Sequence, residues 1–123
     1  MKIRIKGNSL RYRLTRPEVE RFVKTGHLEE RINFGGASLC YSILMTDADW
    51  LSVSFLDNRI TLFFPAALID EWIHTDRAGF DHRIPLDGTD ETLYLLVEKD
   101  YTCLDNVIED QSDHYPNPLK KSI

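Results

Sequence analysis

The first residues that could do chemistry are alternating cations at the start of the chain. Lys2, Arg4 and Lys6 alternate with other residue types, and Arg11 and Arg13 repeat the pattern a few positions later. Side chains two residues apart in a strand point to the same face of a sheet, so this spacing predicts a β-ribbon with one basic face. Arginine is suited to bidentate contacts with phosphate and carboxylate groups. We therefore expect an anion-binding site formed by Arg4, Lys6, Arg11 and Arg13.

A second group of chemically capable residues lies near the C-terminus, where thiol, carboxylate and imidazole groups are close in sequence. The residues are Cys103, Asp105, Glu109, Asp110, Asp113 and His114. Zinc could use such donors, and a harder ion could use the carboxylates alone. An EF-hand loop starting at Asp105 would put Asp110 where glycine is needed, which excludes that motif. The candidate metal set is Cys103, Asp110, Asp113 and His114, and the alternative is a solvated acidic loop that pairs with arginines.

A nucleophilic role for Cys103 is disfavoured by its neighbours. A reactive thiol needs positive charge or a helix N-terminus nearby to lower its pKa. Asp100 and Asp105 lie close in sequence, and Lys99 offsets only one of them. We therefore interpret Cys103 as a small packing residue.

The two ends of the chain carry opposite charge. Residues 1–31 contain nine Lys and Arg against four Asp and Glu, whereas residues 98–113 contain six acids and one lysine. This asymmetry predicts that the acidic C-terminal segment docks on the basic ribbon, where it either stabilises the ribbon or covers the anion site. The overall pI of about 5.3 opposes general attraction to nucleic acid.

Length and composition indicate a globular protein. With 123 residues, the chain is long enough for one domain with its own core. The charged N-terminus lacks the apolar region of a signal peptide, so we expect a chain that starts at Met1 and stays in the cytoplasm. Two cysteines are too few for a disulfide scaffold.

The elements that must position these residues follow from periodicity. A ribbon over 2–14 precedes a helix at 16–25, with Thr15 and Glu18 at the spacing of a capping box. Alternating strands are predicted at 27–34, 39–45, 50–56, 59–64 and 80–86, the first four forming an antiparallel meander, and a second helix at 65–75. The apolar run 93–97 predicts a deeply buried strand. No internal repeat is visible.

The chain also resembles a known family at both ends. The opening residues 1–15, MKIRIKGNSLRYRLT, and the closing motifs VEKDYTCL at 97–104 and YPNP at 115–118 are similar to a family of small bacterial proteins designated only as a domain of unknown function. The resemblance implies a bacterial cytoplasmic protein. It assigns no activity, cofactor or catalytic residue to any position.

Together these patterns predict an α+β fold with a mostly antiparallel, curved or partly closed sheet of six to eight strands. Residues 1–123 form a single domain on which the polar, acidic segment 98–123 packs. The function we expect is that of a small soluble binding or interaction module, with a small anionic ligand and a second copy of the chain, as a homodimer, as candidate partners. The alternative is a small enzyme acting on a phosphorylated or other anionic substrate. We expect no cofactor, no membrane association and no nucleic-acid partner.

Overall fold

The structure, a computed structural model, describes residues 1–101, which contain eight strands and two helices. The eight strands in this part are β1 (Lys2–Lys6), β2 (Ser9–Leu14), β3 (His27–Asn33), β4 (Ser38–Thr46), β5 (Ser52–Leu56), β6 (Arg59–Pro65), β7 (Gly79–Pro85) and β8 (Thr92–Lys99). The two helices are α1 (Arg16–Thr25) and α2 (Ile69–His74), the latter preceded by a 3-10 turn at Ala66–Leu68. The predicted first helix is confirmed, and the second is shorter than predicted because Pro65 still belongs to β6.

The ends of α1 are set by local sequence. At its start, the backbone N–H of Thr15 donates to the Glu18 carboxylate over 2.8 Å, which gives one of the capping-box bonds. At its end, Gly26 adopts a left-handed conformation with φ of 77° and donates its N–H to the carbonyl of Phe22 over 2.7 Å. Both termini were therefore readable from the sequence.

The strands form two mixed four-stranded sheets rather than the expected single, mostly antiparallel sheet. Sheet A has the order β1-β2-β8-β7 and sheet B the order β3-β4-β6-β5. The outer pairs are antiparallel, but the central pairs β2–β8 and β4–β6 are parallel. The predicted meander is wrong at β4 and β5, because β6 lies between these consecutive strands. In the described part of the chain, neither sheet closes into a barrel.

Residues 1–101 contain two copies of one β-β-α-β-β unit, although no repeat is visible in the sequence. The first unit runs from β1 to β4 and the second from β5 to β8, and each sheet combines one hairpin from each unit. Over the first hairpin and the helix the offset is constant at 50 residues, so Tyr12 corresponds to Leu62 and Phe22 to Trp72.

Backbone hydrogen bonds repeat with the units. The N–H of Tyr94 donates to the Asn8 carbonyl over 3.1 Å, and the N–H of Cys40 donates to the Asn58 carbonyl over 3.0 Å. The repeat is not visible in the sequence because the two units share their burial pattern and register but few residue identities.

The core lies between the two sheets and is closed at one end by the helices. The side chains of Tyr12, Phe22, Phe64 and Trp72 are fully buried there, as are Leu95 and Val97 of the predicted buried strand. Because both helices connect strand ends opposite the hairpin loops, the molecule has a helix end and a loop end. This arrangement leaves the outer faces of both sheets uncovered by α1 and α2.

Several large aromatic and aliphatic residues lie outside the core and are exposed. Trp50, Phe34 and Phe55 have 67%, 67% and 70% of their surface exposed, and Ile32 is also exposed. Ile32, Phe34 and Phe55 lie next to the hairpin loops, at the loop end of the molecule. Trp50 instead stacks on His82, with ring centroids 5.6 Å apart.

Candidate functional site

The outer face of sheet A carries the basic residues that the sequence singled out. The strand register places Arg4 directly opposite Arg11, Lys2 opposite Arg13 and Lys6 opposite Ser9. Because β1 and β2 are antiparallel neighbours, directly opposite side chains share a face at Cβ separations of about 5 Å. The alternation of the ribbon therefore brings Arg4, Lys6, Arg11 and Arg13 onto one surface, which we call the basic face.

The parallel pairing of β2 with β8 brings residues of β8 beside the ribbon, and of these the sequence had connected only the acidic Glu98 with it. Ser9 lies beside Tyr94, Arg11 beside Leu96 and Arg13 beside Glu98. On the far side of β8, the Arg83 guanidinium lies over the Tyr94 ring at 4.7 Å. Tyr94 and Arg83 had the correct strand parity, but only the β2–β8 pairing reveals that they share this surface.

Acidic groups neutralise one end of the basic face. The Glu98 carboxylate lies 2.8 Å from Arg13 Nε and 3.5 Å from Arg11 Nε, so one acid serves two arginines. Lys2 Nζ lies 3.2 Å from Asp100 Oδ2. Arg13 is thus committed to a structural ion pair, and Arg11 shares the same partner at a longer distance.

The other end of the face keeps an excess of positive charge. Within residues 1–101, neither Arg4 nor Lys6 forms an ion pair with an acidic side chain. These two residues line a shallow depression of about 130 Å³, whose remaining walls are Ser9, Leu10, Arg11, Tyr94 and Leu96. The depression combines three cationic side chains, which are donors suited to an anion, whereas the hydroxyls of Ser9 and Tyr94 already donate to the Lys6 carbonyl and to Asp81.

Tyr94 is held in place by an acid on its far side. Its hydroxyl donates to Asp81 Oδ2 over 2.9 Å. The hydrogen bond to this carboxylate, with a smaller contribution from burial, raises the pKa of Tyr94 above its ordinary value. Tyr94 therefore stays neutral and adds no negative charge to the basic face.

The candidate metal ligands Cys103, Asp110, Asp113 and His114 lie outside the described residues. Among residues 1–101, no group of three or more His, Cys, Asp and Glu side chains is arranged to hold a metal ion. Of the two cysteines, Cys40 lies within the described residues, where it is a buried free thiol on sheet B. Burial, followed by a hydrogen bond to Glu29, raises the pKa of Cys40, which keeps the thiol protonated.

Fold and site together define the class as an α+β protein with two mixed sheets, one of which presents a basic outer face. The chain belongs to a family of unknown function (DUF7009), whose sequence model matches residues 1–119. The resemblance at the two chain ends is thereby confirmed as family membership. No curated protein and no solved structure matches the chain. No helix within residues 1–101 is long and apolar enough to cross a membrane.

Proposed function

We propose that the protein is a small binding module that holds an anionic group on the basic face, with Arg4, Lys6 and Arg11 as the contacting cations and Arg13 as a flanking charge. One observation carries the proposal. Arg4 and Arg11 are directly opposed across two strands, and Arg4 and Lys6 have no acidic partner among the described residues.

Directly opposed like charges are unfavourable for the fold. Cross-strand pairs of like charge destabilise a sheet by roughly 0.2–1 kcal/mol relative to small neutral pairs. Glu98 offsets part of this repulsion at Arg11 but none at Arg4, because it lies beside Arg13 on the next row. A bound anion between Arg4 and Arg11 would replace repulsion by charge-assisted hydrogen bonds.

Protection of a sheet edge is the competing explanation for these cations. Charged residues on edge strands prevent sheets from pairing with other chains, and β1 is an edge of sheet A. Arg11, however, lies on β2, which is paired on both sides, so edge protection gives no reason for its charge. Anion binding accounts for the residues on both strands.

The shape of the depression limits the ligand to one that touches it with a small group. Its volume of about 130 Å³ is below the roughly 300–1,000 Å³ of pockets that enclose whole small molecules. A phosphate or carboxylate group fits such a surface site, and two arginines at directly opposed positions on neighbouring strands favour the phosphate. We therefore propose a phosphorylated ligand whose remaining part extends over the sheet.

Titration with pyrophosphate tests the proposal. Binding to the full chain would be measured by calorimetry and by amide chemical shifts, with Arg4→Ser and Arg11→Thr as site variants. Arg31→Ser is the matched control, because Arg31 is an exposed arginine on the edge strand β3 of the other sheet. Loss of one charged hydrogen bond of about 1.4 kcal/mol should weaken binding about tenfold in each site variant and leave the control unchanged.

The proposal is wrong if pyrophosphate shifts no amide of β1, β2 or β8, or if Arg31→Ser weakens binding as much as Arg4→Ser.

A cytoplasmic location and a bacterial source are part of the same proposal. They are supported by the low cysteine count and by the resemblance of the chain ends.

A further inference from the structure

One edge strand of the molecule lacks the features that normally prevent sheets from pairing. Within residues 1–101, the four edges of the two sheets are β1, β3, β5 and β7. Charged side chains and proline on an edge strand disfavour the addition of another strand. Three edges carry such residues: β1 has three cations, β3 has Glu29, Glu30 and Arg31, and β7 has Asp81, Arg83 and Pro85. In contrast, β5 has neither a charged residue nor proline.

The exposed large side chains of β5 are apolar on both faces of the sheet. Phe55 and Leu56 are neighbours in the strand, so they point to opposite faces, and each is 70% exposed. Trp50, just before the strand, is exposed as well. A short strand is partly protected by its length, but β1 also has five residues and still carries three cations. The uncharged, apolar edge of β5 therefore indicates a binding surface.

The hairpin geometry determines which backbone groups of β5 are free to pair. The two-residue turn after β5 has φ of 52° and 60°, so its flanking pair Leu56–Arg59 exchanges both backbone hydrogen bonds. Bonded and non-bonded pairs alternate along an antiparallel ladder, so the N–H and C=O groups of Val53 and Phe55 point away from β6. In the described part of the chain, no strand pairs with that side of β5.

We propose that β5 is the interface of a homodimer, in which the strand pairs antiparallel with β5 of a second copy. A two-fold axis at Ser54 places Val53 of each copy directly opposite Phe55 of the other. These two residues carry the outward-pointing backbone groups of the strand, so in this register all of those groups are paired. The two four-stranded copies of sheet B become one continuous sheet. The inference is independent of anion binding, which concerns sheet A.

The properties of β5 favour a second copy as the occupant. The register is self-complementary, because it sets an aliphatic side chain against an aromatic one in both halves, a favourable cross-strand combination. It brings no like charges together, since β5 is uncharged. The equivalent pairing of β1 would set Arg4 against Arg4, because Arg4 corresponds to Ser54 by the 50-residue offset. Of these two corresponding edges, β5 is therefore the one suited to self-association.

Sedimentation equilibrium of the full chain tests the proposal. Protein concentrations from about 10 μM to about 1 mM are needed, because a pair of short strands makes a small interface that associates weakly. Ser54→Arg introduces the β1 residue at an exposed position, so the fold of the monomer should be kept, as circular dichroism checks. Two opposed arginines at the axis should weaken dimerisation about fivefold, the upper end for a like-charge cross-strand pair.

Thr92→Arg is the matched control, because it adds the same charge at an exposed strand position on sheet A. We expect the parent chain and Thr92→Arg to dimerise with the same affinity. A parent chain that stays monomeric at every concentration would overturn the proposal and leave a strand of another protein as the occupant. Equal dimerisation of Ser54→Arg and the parent, or equal weakening by Thr92→Arg, would overturn it as well.

Disulfide formation between copies tests the register. The background is Cys103→Ser, in which the remaining native thiol, Cys40, is buried. Ser54→Cys sets two thiols opposite each other at the axis, with a Cβ separation of about 4.5 Å that a disulfide can span. Leu56→Cys leaves the two thiols about 13 Å apart along the strands. Oxidised glutathione should link Ser54→Cys about tenfold faster than Leu56→Cys. Equal rates, or faster linkage of Leu56→Cys, would overturn the register and with it the interface.

Discussion

The two sheets are built on the same plan but present different chemistry to solvent. Arg4 and Arg11 on sheet A correspond by the 50-residue offset to Ser54 and Thr61 on sheet B, which are also directly opposed. Inner-face positions, in contrast, stay apolar in both sheets: Leu14 corresponds to Phe64, and both are fully buried. The fold therefore requires the inner residues, whereas the sister sheet shows that it does not require a basic outer row. The cations of sheet A are a specific property of one face.

The two units differ in the core at the corresponding helix residues Phe22 and Trp72, which make different contacts. Both are fully buried, but Trp72 stacks on Phe64 at 5.1 Å, meets Phe80 at 6.4 Å and donates its indole N–H to the Ala78 carbonyl over 3.0 Å. Phe22 contacts Phe64 edge-on and has no polar group.

Trp72→Ala should lower the free energy of unfolding more than Phe22→Ala does. Truncating a buried Phe or Trp to Ala costs about 3–5 kcal/mol. We expect Trp72→Ala at the upper end of that range and Phe22→Ala at the lower end, because the former also leaves the Ala78 carbonyl without its donor. Urea denaturation followed by circular dichroism measures both. An equal or larger loss for Phe22→Ala would contradict the assigned asymmetry.

The start of the third strand in each unit gives a second test of how far the two copies are equivalent. His27 begins β3, and Gly79 takes the corresponding place at the start of β7. A Cβ at Gly79 would overlap the Val97 carbonyl and the Glu98 Cα at 2.7 Å, so a side chain does not fit there.

Gly79→Ala should therefore shift β7 away from β8. We expect a loss of about 1–3 kcal/mol, the usual range for overpacking a well-packed site. Gly36→Ala is the control, because no atom lies within 4 Å of the position that its Cβ would take and its φ is not in the left-handed range. Stability of Gly79→Ala within a few tenths of a kcal/mol of the control would show that β7 adapts freely.

Local features of the fold were predictable from the sequence, and pairing between the units was not. Thr15, Glu18 and Gly26 carry capping signals that act within one helix, so α1 was predicted with its correct bounds. The strands were located by alternation, but alternation is the same for parallel and antiparallel neighbours. The β2–β8 pairing joins residues as distant as Arg13 and Glu98, and no local pattern encodes that contact.

In the candidate site, too, the features set within one hairpin were predictable and those that depend on pairing between the units were not. The shared face of Arg4, Lys6, Arg11 and Arg13 follows from strand parity within one hairpin. The contribution of Tyr94 depends on the parallel pair and was missed, whereas Glu98 was expected near the ribbon only as part of the acidic segment 98–113 and not as the partner of Arg13. Phe55 is exposed near the end of its strand, where alternation alone does not determine burial.

Replacing Arg4 and Arg11 by the residues at the corresponding positions of sheet B should change stability less, and should increase it. The double variant Arg4→Ser, Arg11→Thr reproduces the Ser54–Thr61 pair on sheet A. Without a ligand, it should be more stable than the parent by roughly 0.2–1 kcal/mol, because it removes directly opposed like charges. The gain should shrink as salt is raised, since added ions screen exposed charges. Denaturation at low and high salt checks this; a salt-independent loss of stability would mean that the arginines are held by favourable contacts.

The smallest expected effect lies on sheet B, where the outer face contains an acid–base pair instead of a basic row. The Arg59 guanidinium donates a hydrogen bond to Glu29, and this contact, followed by one from Cys40, lowers the pKa of Glu29. A lowered folded-state pKa means that the pair stabilises the protein above the unfolded pKa of about 4.3 and that this contribution is lost as the pH falls through the folded value.

Arg59→Ala should raise the pKa of Glu29 toward its ordinary value, as measured by NMR titration of the side-chain carboxyl. Arg31→Ala, which removes another exposed arginine from β3, should leave it nearly unchanged. Equal shifts in the two variants would show that Glu29 responds to the general charge of the face rather than to its hydrogen bond with Arg59.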